Sequence, residues 1–141
     1  MLDWDANVNP EFAQSNRTFP CPVRPVAETE ADGYREQWVC YGTGHYSAKE
    51  LTVLPSRTAT IADAAAYGLI VVQGHGQFGG LQVSTPSMIR FGAMTEDELF
   101  VSEPAARAGV TIENRSETDP LVILKHFGPG NPDAEPLRRR G

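Results

Sequence analysis

The sequence has little of what marks the commonest metal sites and covalent catalysts. It contains two cysteines, Cys21 and Cys40, without a Cys-x-x-Cys spacing, and three histidines without a His-x-His or His-Glu-x-x-His pair. There is also no Gly-x-Ser-x-Gly elbow and no glycine-rich nucleotide loop. The common zinc, redox and serine-nucleophile signatures are therefore excluded. Two isolated cysteines predict free thiols in a reducing cytoplasm.

Long apolar runs and positive charge are also scarce. No stretch reaches the roughly 18 to 20 apolar residues that cross a bilayer. The chain has 12 Lys and Arg against 18 Asp and Glu, a formal charge of −6. This balance opposes binding to nucleic acid or to an anionic membrane surface. The arginines at 138–140 are expected to lie in a solvated tail rather than in a nucleic-acid site.

What the chain does contain is typical of a turn-rich β protein. It has 13 glycines and 11 prolines in 141 residues, of which 40% are hydrophobic. Apolar segments of four to eight residues alternate with polar turns, so the pattern favours short strands over disorder. The length is that of one domain with a single core.

The N-terminal third differs from the rest of the chain. Prolines recur through residues 1–36, and because each removes a backbone donor, a central strand or continuous helix is not expected there. We expect an extended arm whose aromatic residues Trp4, Phe12 and Phe19 either dock on the domain or a second subunit, or belong to a partly ordered tail. Residues 28–36 are expected to be an acidic, solvated connector.

From residue 37 onward, short β-type segments are separated by turns. The strands are predicted at residues 38–41, 50–54, 57–61, 69–73, from 77 onward, 81–83, 87–91, 98–101, 109–113 and 120–127. Residues 67–80, YGLIVVQGHGQFGG, are predicted to form a central hairpin with a Gly-His-Gly turn. The run at 121–124 is so uniformly apolar that we expect a central strand covered on both faces. The spacing of the segments is that of a β-sandwich or barrel.

Several of these motifs resemble the cupin superfamily. They are Leu54-Pro55 leading to YGLIVVQGHG at 67–76, and the stretch 100–114; the similarity covers residues 50–128. The ending KHFGPG at 125–130 is most similar to the cupin portion of mannose-6-phosphate isomerase-like proteins. The resemblance implies an all-β fold, a single cupin-like jelly-roll β-barrel at residues 37–132. An extended N-terminal arm and connector would occupy 1–36, and a solvated tail 133–141.

The resemblance fails where a cupin normally binds its metal. The family's two histidines and glutamate align with Ile61, Asp63 and Tyr67, and the histidine of its second motif aligns with Val110. Since only Asp63 has a metal-binding side chain, we predict no metal at that site and no cofactor. Asp63 is instead free to cap the Ala-rich turn at 62–66.

The remaining polar residues of the barrel are the candidates for chemistry. We assign catalytic roles to His75, Tyr67 and Glu98, and substrate-binding roles to Gln73, Arg90 and His126. Each has a simpler alternative: His75 as an exposed turn residue, His126 as a half-buried structural histidine, and Arg90 as a surface charge or an inward clamp for a carboxylate or phosphate. Glu98 could pair with Arg90 or Lys125, and the simpler alternative for this set is a structural ion pair at the edge of the barrel.

Two functions remain open at this point. The resemblance implies a small-molecule enzyme or enzyme-related domain, similar to a sugar or sugar-phosphate isomerase. The alternative is a non-catalytic cupin that binds a small ligand or mediates oligomerisation. In either case we expect a cytoplasmic homodimer whose partner is a small molecule, a sugar or sugar phosphate, with no nucleic acid and no membrane. The chain is either a whole protein or a segment of a longer one.

Overall fold

The computed structural model describes residue 11 and residues 19–140, with side chains as far as residue 137. The described part contains ten strands, two short helices and a terminal 3-10 helix. The strands are β1 (Cys21–Pro22), β2 (Tyr34–Cys40), β3 (Ser47–Val53), β4 (Thr58–Ile61), β5 (Tyr67–Gln73), β6 (His75–Phe78), β7 (Leu81–Ser84), β8 (Glu98–Val101), β9 (Val110–Asn114) and β10 (Leu121–Phe127). The helices are α1 (Val26–Ala31), α2 (Glu103–Ala108) and the 3-10 helix Glu135–Arg140.

The strands form two antiparallel sheets. The larger sheet has the order β1-β2-β3-β10-β5-β8, and the smaller has the order β4-β9-β6-β7. Buried side chains of both sheets, such as Leu51, Ile123 and Ile112, belong to one hydrophobic core between them. The predicted all-β jelly-roll fold is confirmed in this two-layer form.

Alternation along the strands explains which side chains reach the core. In β3, the residues at 47, 49, 51 and 53 are buried while those between them are half-buried. β10 repeats the pattern and lies between β3 and β5, the central place expected for it. Its outer face is not covered as predicted, because Val122 and Leu124 are half-buried and His126 is exposed.

The predicted central hairpin is wrong, although both of its strands exist. β5 belongs to the larger sheet and β6 to the smaller, so the two do not pair. The chain crosses between the sheets at Gly74, which has φ 86°. A Cβ there would lie 2.6 Å from the carbonyl oxygen of Pro120, so glycine meets both a conformational and a steric requirement. The true hairpin is β6–β7, turning through Gly79 and Gly80.

Other segment predictions also need correction. The acidic connector at 28–36 is instead the end of α1 and the start of β2, and its Glu36 is buried. Residues 87–91 form no strand; they belong to an exposed loop, because nothing pairs with them. Helix α2 was not anticipated.

The predicted arm lies only partly within the described residues. Trp4 and Phe12 are outside them, whereas Phe19 is exposed and its carbonyl oxygen accepts a 2.7 Å hydrogen bond from the Tyr41 hydroxyl. The division at 36/37 and 132/133 stays a prediction. Within the described part of the chain, no helix is long and apolar enough to cross a membrane.

Candidate functional site

Four charged side chains meet in the interior, and we call them the buried charge network: Glu36, Lys49, Asp63 and Lys125. Asp63 bridges the two lysines, with Oδ1 2.6 Å from Lys49 Nζ and Oδ2 2.7 Å from Lys125 Nζ. Glu36 Oε1 pairs with Lys125 Nζ, and Glu36 Oε2 lies 3.9 Å from Lys49 Nζ. All four residues are at most 6% exposed. Two ammonium groups and two carboxylates make the network formally neutral.

The strand register brings the two lysines together. Lys49 in β3 pairs directly with Lys125 in β10, and both side chains point inward. Like charges on opposed residues of neighbouring strands repel, and the repulsion is strongest where water is excluded. Asp63 offsets this repulsion, because one of its carboxylate oxygens contacts each ammonium group.

The rest of the fold fixes Asp63 in its bridging position. Its backbone N–H donates to the carbonyl oxygen of Ala106 in α2, over 3.0 Å. The next residue, Ala64, donates its N–H to Asp133 Oδ2 over 3.1 Å. Asp133 Oδ2 also lies 3.9 Å from Lys49 Nζ, so the C-terminal segment contacts the network from outside.

Aromatic rings surround the two ammonium groups. Lys49 Nζ lies 4.7 Å from the Trp38 ring centroid and 5.5 Å from that of Phe127. Lys125 Nζ lies 5.3 Å from the Tyr67 ring, which in turn packs 5.3 Å from Phe127. The negative faces of these rings attract the ammonium groups as well as excluding water from them.

The network shifts two pKa values in opposite directions. Burial alone would raise the pKa of Asp63, but the ammonium groups of Lys125 and Lys49 outweigh it and hold that pKa below its ordinary value. Burial, reinforced by the negative charges of Asp63 and Glu36, raises the pKa of Tyr67. Asp63 is therefore ionised and Tyr67 neutral at physiological pH.

A cavity of about 690 Å³ opens beside the network. Glu36 and Lys49 are the network members that line it, together with the aromatic residues Tyr34 and Trp38. Its other lining residues come from the β1 region, from the end of β4 and from the C-terminal segment: Cys21, Pro22, Val23, Arg24, Thr60, Ile61, Ala62, Pro132, Asp133, Pro136 and Leu137. An ammonium group, a carboxylate and two aromatic rings thus lie in the wall of the cavity, each on a residue that is at most 9% exposed.

The residues at this site do not fit a metal ion. Ile61, Tyr67 and Val110 carry no suitable ligand atom, and both oxygens of Asp63 are already engaged by lysines. No group of three or more His, Cys, Asp or Glu side chains able to hold a metal occurs among residues 11 and 19–137. Of the four aligned positions, Asp63 is the one that belongs to the buried charge network.

The residues proposed from the sequence are dispersed. Tyr67 faces the interior beside Lys125. Glu98 lies on the neighbouring strand β8, three residues before the residue that pairs with Tyr67, and is exposed on the other face of the sheet. His75 begins β6 in the smaller sheet and is exposed, as is Gln73 at the end of β5. The three proposed catalytic residues are thus not brought together. Their roles stay predictions.

Two of the proposed residues do meet, at a different place. Glu98 and His126 line a shallow groove of about 400 Å³ on the outer face of the larger sheet, with Ile70 and Phe100. His126 lies over Gly68, where a Cβ would collide with its ring. Arg90 is exposed in the loop before β8, and Glu98 pairs with neither Arg90 nor Lys125, contrary to expectation.

Sequence reasoning missed Glu36, Lys49 and Lys125, although a signal was present. Each lies in phase with apolar residues two positions away, as Lys49 does with Leu51 and Lys125 does with Ile123. With a period of two, these charges fall on the buried face. A buried charge requires a partner of opposite sign, which would have pointed to Asp63.

Solved structures similar to this chain include proteins described as cupins. The cupin 2 domain-containing protein of Halorhodospira halophila superposes with a TM-score of 0.50 and 20% identity, over 77% of this chain and 76% of that one. An RmlC-like cupin from Shewanella frigidimarina gives a TM-score of 0.47 and 16% identity, over 72% of this chain and 81% of that one. No family model and no curated protein matches the sequence.

A further similar structure is that of Rhodobacter sphaeroides SigE in complex with the anti-sigma ChrR. Its TM-score is 0.46 at 16% identity, and the match covers 68% of this chain and 44% of that one. The present chain therefore spans less than half the length of that neighbour. The likeness to the Halorhodospira protein shows the fold, a jelly roll of the kind that cupins have, here with a buried lysine–carboxylate network.

Proposed function

We propose that this domain binds a small, neutral, polyhydroxylated molecule in the 690 Å³ cavity without a metal ion. The observation that supports the proposal is that Lys49 and Glu36, two buried charged side chains, line the same cavity as Trp38 and Tyr34. Lys49 would donate to a ligand hydroxyl and Glu36 would accept from one, while the ring of Trp38 offers a surface for the ligand's carbon face.

Charge decides between a sugar and a sugar phosphate. The network is formally neutral, and Asp133 at the rim adds a negative charge. The rim cation Arg24 is already paired with Glu28 and Asp32, at 3.4 and 3.3 Å. Among the described lining residues, a phosphate would thus meet the Asp133 carboxylate at the rim and an Arg24 that already has two carboxylate partners. A neutral ligand is favoured.

Binding is favoured over an isomerase-like reaction. Moving a proton between carbon atoms needs a general base whose lone pair faces the substrate. Glu36 is the network carboxylate that lines the cavity, and it is held by Lys125. Turnover of sugars by the wild type and its loss in Glu36→Gln would favour the enzyme instead.

The test uses ligand-induced thermal stabilisation with D-mannose, D-glucose and myo-inositol. A ligand at 100 times its Kd stabilises a protein by about 2.7 kcal/mol, which raises Tm by several degrees. We expect such a rise for at least one of the three with the wild type, and its loss in Lys49→Met. If no probe stabilises the wild type, or if Lys49→Met responds equally, the proposal is wrong.

Lys125→Met serves as the matched control. It removes the second lysine bridged by Asp63, but Lys125 does not line the cavity. We expect the Tm of Lys125→Met to fall as that of Lys49→Met does. The ligand-induced rise in Tm should be retained better in Lys125→Met than in Lys49→Met. The comparison separates loss of a ligand contact from loss of the network.

The cellular setting stays part of the proposal. Both cysteines are free in the structure, which is compatible with a reducing cytoplasm. The homodimer predicted from the sequence likewise stays a proposal.

A further inference from the structure

The backbone of β8 is open on the side that faces away from the larger sheet. β8 pairs with β5 on one side and has no strand on the other. Val71 N–H donates to the carbonyl oxygen of Asp97 over 2.8 Å, which fixes the phase of the antiparallel ladder. In that phase the N–H and C=O groups of Glu98 and Phe100 point away from β5, and no hydrogen bond from the described residues reaches them. These four groups are free to pair with a further strand.

Apolar side chains lie beside the open edge on the outer face of the larger sheet. Phe100 is 75% exposed there, because the residue paired with it on β5 is Gly68, which has no side chain to cover its ring. Ile70 and Val72 are exposed on the same face of β5. Contiguous apolar surface in contact with solvent is typical of an interaction site.

The loop that leads into β8 extends this apolar surface. Its base is closed by a hydrogen bond of 3.1 Å from Glu96 N–H to Ser87 Oγ, so the loop projects from the start of the strand. We call β8, Ile70, Val72 and this loop the β8 surface. Four side chains between the two ends of the loop are apolar and each at least 69% exposed: Met88, Ile89, Phe91 and Met94.

The charges of the β8 surface are predominantly negative. Glu96, Asp97 and Glu98 are consecutive, and the cation in the loop is Arg90. None of these four side chains forms an ion pair with a described residue. Three carboxylates against one guanidinium repel a second copy of the same surface, a nucleic acid and an anionic lipid. They attract a partner whose apolar residues are accompanied by lysine or arginine.

We propose that an extended segment of another protein, apolar at its start and basic after it, adds to the larger sheet as an antiparallel strand along β8. Its backbone pairs with the four open groups of Glu98 and Phe100, as in other cases of strand addition at a sheet edge. The residue opposite Phe100 packs an apolar side chain against the exposed ring.

The antiparallel direction fixes the order of side chains in the partner segment. Two positions after the apolar residue, the segment lies opposite Glu98, and two positions later it lies opposite Glu96. Side chains two positions apart share one face of a strand, so cations at these two positions meet the acidic residues on the outer face. The segment recognised therefore has the pattern apolar-x-basic-x-basic.

The test is an NMR titration of the isotope-labelled protein with the peptide Ser-Phe-Thr-Lys-Val-Lys-Ser, acetylated and amidated at its ends. The amide resonances of Glu98 and Phe100 should shift, with a Kd of about 1 mM or tighter. Replacing both lysines of the peptide by glutamate should weaken binding by about tenfold or more. Glu98→Lys in the protein should do the same, whereas Glu117→Lys, the same change in an exposed turn, should leave the Kd unchanged.

Methylation of the peptide backbone separates strand addition from a purely ionic contact. In the proposed register, the N–H groups of the peptide's phenylalanine and first lysine donate to the carbonyl oxygens of Phe100 and Glu98. Methylating either nitrogen should therefore abolish binding. The N–H of the threonine between them points away from β8, so methylating that nitrogen is the matched control and should weaken binding far less.

Several outcomes would overturn the proposal. They are no shift at Glu98 and Phe100 up to about 5 mM peptide, equal binding of the glutamate peptide, or equal binding of all three methylated peptides. Changes at these amides that follow protein concentration alone would place a second copy on β8, and changes caused by phosphatidylglycerol vesicles would place a lipid surface there. Ligand binding in the cavity is measured separately and does not depend on this outcome.

Discussion

Asp63 is the residue on which the interior depends most, because its two oxygens separate two lysines that face each other on adjacent strands. Removing one partner of a buried ion pair leaves an uncompensated charge where water cannot reach it. For the same reason, each buried lysine destabilises the fold when the carboxylate that pairs with it is removed. The network therefore behaves as a unit rather than as four independent contacts.

We expect Asp63→Asn to destabilise the protein by about 3–5 kcal/mol, because the two ammonium groups would lose the anion they share. Urea unfolding followed by circular dichroism measures the difference. Asp32→Asn is the control: it removes an exposed carboxylate paired with Arg24 and should change stability by about 1 kcal/mol or less. Equal effects of the two substitutions would contradict the role given to Asp63.

The same residue predicts a dependence of stability on pH. The folded-state pKa of Asp63 is below its ordinary value of 3.8, so the folded state favours the ionised form. Its contribution to stability is fully present above pH 4 and is lost as pH falls through the folded-state pKa. The difference in unfolding free energy between wild type and Asp63→Asn should therefore shrink below pH 4. A difference that stays constant from pH 7 to pH 2.5 would refute this linkage.

Among the elements, the crossing from β5 to β6 depends on one glycine. Gly74 has a positive φ, and the carbonyl oxygen of Pro120 leaves no room for a side chain. Gly74→Ala should destabilise the protein by about 1–3 kcal/mol, measured by urea unfolding. Gly128→Ala is the matched control, since a Cβ at Gly128 would meet nothing within 4 Å. The explanation fails if the two variants are equally stable.

The strands also show what local sequence can and cannot predict. Short apolar or alternating segments bounded by turn residues located β4, β8, β9 and β10 to within a residue at each end, because these signals are local to the strand. Pairing between strands was not predictable in the same way. Residues 69–73 and 77–80 have the appearance of a hairpin, and only the Gly74 crossing, set by contact with Pro120, sends them to different sheets.

The candidate site was harder to predict for a related reason. Asp63 and Tyr67 were reached through the motif alignment, but Lys49 and Lys125 lie 14 and 62 residues from Asp63 along the chain. A single lysine in an alternating strand gives no local sign of its partner, since the pairing follows from sheet register. The buried charge network is thus a product of tertiary structure.

For the molecule as a whole, the jelly-roll fold supplies a cavity while the side chains around it determine the chemistry. Here the positions aligned with metal ligands hold an isoleucine, an aspartate, a tyrosine and a valine. Two lysines supply positive charge in the interior. The central claim is that this interior binds a neutral polar ligand with no metal ion.

The most direct measurement is thermal unfolding of the wild type after exhaustive chelation, with D-mannose, D-glucose and myo-inositol each compared with its phosphate ester. The account predicts that chelation leaves Tm unchanged, that at least one neutral compound raises Tm by several degrees, and that its phosphate ester raises it less. A Tm that falls on chelation and recovers with a divalent metal, or stabilisation by phosphate esters alone, would contradict it.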